Sequence, residues 1–104
     1  MKYRKLPVEI EAVQLLSTPK SIHDVNVFIN NGKPLDTAGV VASERWEQYI
    51  DFTLKNGGIL IKTLESKGDG HFASFGDFII KGIQGEFYAC KAEIFNMTYE
   101  LINA

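Results

Sequence analysis

The chain has 104 residues, 45% of them hydrophobic and 23% charged, which suits a single domain over 1–104 and leaves no room for a second core. A net charge of -2 speaks against coating DNA or RNA, because only a basic surface displaces phosphate counterions, although a few local cations suffice for a small phosphorylated ligand. No apolar run reaches the roughly 18 to 20 residues of a membrane span, "MKYRKLPVEIEAV" lacks the apolar segment of a signal peptide, and the lone Cys90 can build neither an intrachain disulfide nor a thiolate metal site.

In chain order, "VEIEAVQLL" (8–16) sets Val8, Ile10 and Ala12 against Glu9 and Glu11, a strand with one buried face that starts after Pro7. "STPK" (17–20) is a turn by composition. Ser21 then precedes Ile22, Val25, Phe28 and Ile29, which lie along one helical face. Asp24, three residues after Ser21 at a spacing close to that of a capping box with Ser21 as the cap, also suits the first turn. An amphipathic helix over about 22–31 is predicted, ended by Gly32. "GKPLDTAG" (32–39) is a loop. In "VVASERWEQYIDFTL" (40–54) the β-favouring Val40, Val41, Trp46, Tyr49, Ile50 and Phe52 predict a strand or strand pair, with a helical turn over "ASERWEQYI" as the alternative. "NGG" (56–58) reads as a tight hairpin, "ILIKTLE" (59–65) as a strand with Ile59 and Ile61 on one side and Leu60 and Lys62 on the other, and "SKGDG" (66–70) as a turn before "HFAS" (71–74).

The densest stretch is "FIIKGIQGEFYACK" (78–91), two strands joined around Gln84-Gly85. A two-residue loop would set Lys81 opposite Tyr88; a loop that includes Ile83, with Gly85 left-handed in a bulge, shifts the register by one and puts Lys81 on the face of Phe87 and Lys91. Gln is a poor first residue for the shorter turn, which favours the bulge. "AEIFNM" (92–97) is expected to form a helical turn and "TYELI" (98–102) a closing strand. The sum is an α+β domain with a curled, mainly antiparallel sheet of roughly five to seven strands.

Chemistry-bearing clusters are sparse. "GDGH" (68–71) lacks the oxygen series of a calcium loop and "GKPLDT" (32–37) lacks the glycines of a phosphate loop. His23 and His71 have no neighbour at metal-ligand spacing. Cys90 and Lys91 point to opposite faces of a strand, so the thiol reads as packing rather than as an activated nucleophile. Asp77 and Glu86 flank the hairpin, and Asp77 after Gly76 suits a side-chain-held turn better than acid–base work. No catalytic residue, metal site or cofactor follows. The surplus of rings, interleaved with cations, instead suits stacking on a base with phosphate nearby, or equally a protein interface. On that ground Arg45, Trp46, Lys62, Lys81, Glu86, Tyr88 and Lys91 are the candidate ligand-facing residues.

"GDFIIKGIQGEFYACKAEIFNMTYE" (76–100), together with the opening "MKYRKLPVEIEAVQ" and "IKTLE" (61–65), resembles a widespread family of small, mostly uncharacterised proteins of tailed bacteriophages and prophages. The similarity covers about half the chain and has no counterpart for 17–57. Phe75 and Ala89 stand where that family carries prolines, so the second strand here keeps its backbone donor. The resemblance implies a phage accessory protein acting in the cytoplasm of a bacterial host, and no catalytic mechanism. Counter-defence is the setting it suggests. One expectation is a non-enzymatic homo-oligomer that sequesters a small nucleotide immune signal. The alternatives are an inhibitor that binds a host defence protein, as anti-CRISPR proteins do, and a minor assembly or housekeeping factor.

Overall fold

The computed structural model describes residues 1–4, 6–61 and 70–102. They form an α+β arrangement in the order β1 (Glu11–Gln14), α1 (Pro19–Ile29), α2 (Val40–Asn56), β2 (Gly58–Ile61), β3 (His71–Ser74), β4 (Phe78–Lys81), β5 (Phe87–Cys90) and α3 (Ala92–Thr98). In place of one curled sheet, the described strands make two small antiparallel ones, β1-β4-β5 and β2-β3. Strand 8–16 contracts to β1, because β4 reaches only as far as Lys81, opposite Glu11.

The first helix starts earlier than its apolar face suggests. Thr18, not Ser21, is the N-cap: its hydroxyl accepts the Ser21 N–H at 3.1 Å, and Pro19 occupies the first turn, where a missing donor costs nothing. Ser21 is spent on the chain before the helix, accepting from the Leu16 N–H at 2.7 Å and donating to the Gln14 carbonyl at 3.1 Å.

The largest departure is 40–56, which is helix rather than strand. Val, Trp, Tyr, Ile and Phe favour strands locally, but Trp46, Tyr49, Ile50 and Thr53 recur at helical spacing and form one inward stripe. Burying that stripe against β2 outweighs a propensity of about 1 kcal/mol per residue at most. "NGG" is accordingly no hairpin: Gly57, at φ +77°, is the left-handed residue that ends α2 and leads straight into β2.

Among the described residues, Leu15 just past β1 and seven side chains from five elements make the main core: Ile22, Val25, Ile50, Ile59, Ile61, Ala73 and Ile79. Phe87 of β5 joins it edge-on to Phe28 of α1, centroids 5.4 Å apart. The opposite face of the three-stranded sheet is covered by α3, whose Phe95 stacks on Phe78 at 3.9 Å and 6° and whose end brings Tyr99 beside Phe95. This explains why 98–102 does not close the sheet: the Tyr99 N–H is spent on the Phe95 carbonyl at 2.9 Å, continuing the helical bonding of α3.

The hairpin takes the bulged register. Lys81 faces Phe87 and Ile80 faces Tyr88. The Gly82 N–H reaches the Glu86 carbonyl at 2.7 Å, the Gly85 N–H reaches the Gly82 carbonyl at 3.0 Å, and Gly85 has φ +82°.

Adjacent glycines at the α2–β2 joint allow a prediction. A Cβ on Gly57 would meet open space, whereas one on Gly58 would land on the backbone carbonyl of Ala73. Gly57→Ala should therefore cost only the left-handed strain, about 1 kcal/mol. Gly58→Ala should cost more, about 1–3 kcal/mol, because β2 and β3 must separate. Urea midpoints of the two variants measure the difference.

Candidate functional site

Running along α2, Arg45, Gln48, Phe52 and Asn56 fall on one side, next to the stripe that enters the core. Across from them, Leu60 and Phe72 are a directly opposed cross-strand pair on the outward face of β2–β3, while Ile59, Ile61 and Ala73 point inward. Helix and ribbon thus enclose an open groove of about 860 Å³, with Thr53 and Ile59 beneath it. Three large apolar side chains stand in water there: Phe52 is 69% exposed, Leu60 53% and Phe72 52%. Among the described residues, Arg45 is the only charged one lining the groove. The groove thus sets three exposed apolar side chains beside one guanidinium.

Of the residues nominated from sequence, Arg45 alone lines this groove among those described. Trp46, one position on, turns the other way and packs on the core, edge-on to His23 at 5.7 Å and tilted against Tyr49 at 5.5 Å. Tyr49 in turn exchanges hydrogen bonds with the Asn26 amide at 3.2 and 3.3 Å, tying α2 to α1. Lys62 lies outside the described residues. Lys81 ends β4 between Glu11 and Phe87. Glu86 serves the hairpin, where its carboxylate accepts the Gln84 N–H at 3.0 Å. Lys91 is the N-cap residue of α3 and borders a separate hollow of about 360 Å³ with Ser74, Asp77 and Glu93. Asp77 holds the turn, its carboxylate accepting from the Ser74 N–H at 3.0 Å. The described cations and rings of the sequence reading are therefore dispersed rather than gathered in one wall.

Tyr88 sits on the α3 side of the sheet. Its phenol is pushed up from 10.0 to about 12, first by burial, then by its hydrogen bond with Tyr99 and by the negative charge that Tyr99, Glu86 and Cys90 can carry. The unfolded phenol ionises near 10.0 while the folded one stays neutral, so this contribution to stability is complete below pH 10 and is lost as pH rises toward 12. Tyr88→Phe should flatten the decline of the urea midpoint across that window relative to the wild-type chain.

Cys90 is a free thiol that donates to the Lys91 carbonyl at 3.6 Å. Among the described residues, no three His, Cys, Asp or Glu side chains gather as a metal site, and no helix is long and apolar enough to cross a membrane.

Phe52, Leu60 and Phe72 escaped the sequence reading. Two signals were available: on a helical wheel Phe52 falls one and two turns from Gln48 and Arg45, and period two sets Leu60 and Phe72 outward. Set against protein-family models, curated proteins and solved structures, the chain finds no match in any of the three.

Proposed function

We propose that this protein works by binding rather than catalysis, and that its groove between α2 and the β2–β3 ribbon grips a protein partner. The observation that carries the reading is the composition of the groove: Phe52, Leu60 and Phe72 exposed along a common surface, with one guanidinium, Arg45, at its side. Interfaces draw their energy from such aromatic and arginine anchors, with polar groups around them excluding water. The complementary partner presents an apolar segment flanked by a carboxylate, which Arg45 pairs in bidentate fashion. The phage and prophage resemblance of 76–100 makes a host defence protein the natural target and an inhibitory, counter-defence role the purpose. The decisive experiment is affinity capture from host lysate with the wild-type chain and a groove variant. A stoichiometric partner retained by the first and lost by the second supports the reading, and equal retention by both removes it.

A second reading has its own observation. Arg45 shares the groove with the rings of Tyr49, Phe52 and Phe72, so a nucleobase could stack there with a phosphate on the guanidinium. Among the described residues one lining cation is few for a nucleotide carrying several phosphate charges, and Lys81 and Lys91 lie elsewhere, which is why this reading ranks second. Calorimetric titration with cyclic and ADP-ribose-type nucleotides separates the two, since heat that disappears in Arg45→Ala would reverse the order.

A further inference from the structure

The polar groups beside the groove discriminate between the shapes a partner segment can take. On α2, Gln48 stands one turn before Phe52 and Asn56 one turn after it, with Arg45 at the near end of the row. Tyr49 spends its hydroxyl on Asn26, and Thr53 is 2% exposed on the floor. Asn56 uses its amide nitrogen on the Phe52 carbonyl at 2.8 Å, which leaves its side-chain oxygen as an acceptor. Gln48 has no hydrogen-bond partner among the described residues and offers both a donor and an acceptor. Apolar contact with Phe52, Leu60 and Phe72 therefore lays an occupant against two amides, which lose water and must be bonded again.

Two kinds of apolar segment enter such a groove, and they differ in what they give those amides. A helix has its main chain bonded internally and brings only side chains. An extended segment turns a main-chain donor and acceptor to the same side at every second residue, a repeat of about 6.6 Å. From Gln48 to Asn56 the helix rises about 12 Å, close to two of those repeats. The whole row from Arg45 to Asn56 spans about 16 Å, the length of roughly five extended residues. In that pose alternate side chains enter between Phe52 and the Leu60–Phe72 pair while the main chain runs along the amides.

Taking the groove as a protein-binding surface, we infer that its occupant is an extended segment of about five residues, apolar at alternate positions, with Asp or Glu at the end beside Arg45. Gln48 and Asn56 bond its main chain and so accept any sequence of this pattern. Specificity rests with the apolar positions and the carboxylate.

Selection from a library of random dodecapeptides tests this, counting only peptides that bind the full chain and not Phe72→Asp. The expected winners alternate apolar with other residues and carry an acid at one end of that run. Their affinity should fall about tenfold with Gln48→Leu, and again with Asn56→Leu, because a bond to the main chain is lost to a side chain of similar size. A helical occupant would do the opposite, binding the more apolar Gln48→Leu groove more tightly. Methylating the main-chain nitrogens of a winning peptide one at a time should weaken it at alternate positions only, a readout that needs no variant of the protein. Winners with apolar residues three and four apart, or tighter binding by Gln48→Leu, overturn the inference and leave the groove as a binding surface. A selection without groove-dependent winners overturns it too, and capture from host lysate then decides separately whether the groove binds protein at all.

Discussion

Ile79→Ala should lower the unfolding free energy by about 3–4 kcal/mol, the largest single-residue effect expected on stability. Ile79 is 0% exposed and sits on β4, the only strand of the three-stranded sheet with neighbours on both sides. Its partners across the ladders are Val13 and Ala89, both packed against the main core, so the cavity opens where β1, β4 and β5 meet α1 and the second sheet. Neither neighbouring strand can shift inward without breaking its pairing, which keeps the cavity from collapsing and keeps the cost off the lower end of the usual range of about 2–5 kcal/mol. For a domain of this length total stability is about 5–15 kcal/mol, so such a variant approaches the unfolding threshold. Ile83→Ala is the matched control: the same chemistry four residues on, at a hairpin tip that is 75% exposed, should change stability by no more than about 0.5 kcal/mol. Urea denaturation of both, with the slope held constant, measures the difference. Similar costs for the two would mean that β4 is not the spine of the fold.

Legibility from sequence followed the range over which each feature is decided. The hairpin could be read, bulge included, because the turn chemistry of Gln84 and Gly85 is local and Gly85 alone can take φ +82° cheaply. Helix α1 could be read because its apolar spacing and its β-averse neighbours agree, but both ends were misplaced. It runs Pro19–Ile29 rather than 22–31, and Asn31 at φ 57° turns left-handed before Gly32. Thr18 and Ser21 are equally good hydroxyl caps whose choice depends on where Gln14 lies. In 40–56 the two signals conflict. Propensity favours strand and periodicity favours helix, and the conflict is settled by the packing of Ile50 and Thr53 on distant partners, which no local window contains. The groove failed with that segment. Arg45 and Phe52 come together only on a helix, and Leu60 and Phe72 face them only once β2 is joined directly to α2 through Gly57. Arg45 was nominated for its charge among rings, a sound chemical reason, but its companions were sought in the hairpin lysines, which the fold sends to other surfaces.

Phe72→Asp should abolish partner binding while leaving the fold in place. The ring is about half exposed and faces Leu60 on the outward side of a two-stranded ribbon, so the core barely registers its loss, and surface changes of this kind stay within about 0.5 kcal/mol. Binding should respond far more strongly. A central aromatic anchor is worth 2 kcal/mol or more, and each 1.4 kcal/mol is about tenfold in affinity, so removing the ring and burying a carboxylate in its place should weaken the complex by at least about thirtyfold. Phe52→Asp, on the facing helix, should do the same, and the double variant should fall short of the summed losses because the two rings line one groove. Arg45→Ala should act differently in kind, slowing association and removing part of its salt dependence, as charges at the side of an interface do. Lys91→Ala, at the separate hollow, should bind as the wild type does. Binding kinetics with the captured partner immobilised distinguish these patterns. If Lys91→Ala weakens the complex as much as Phe72→Asp does, recognition is electrostatic and spread over the surface, and the groove loses its claim to be the site.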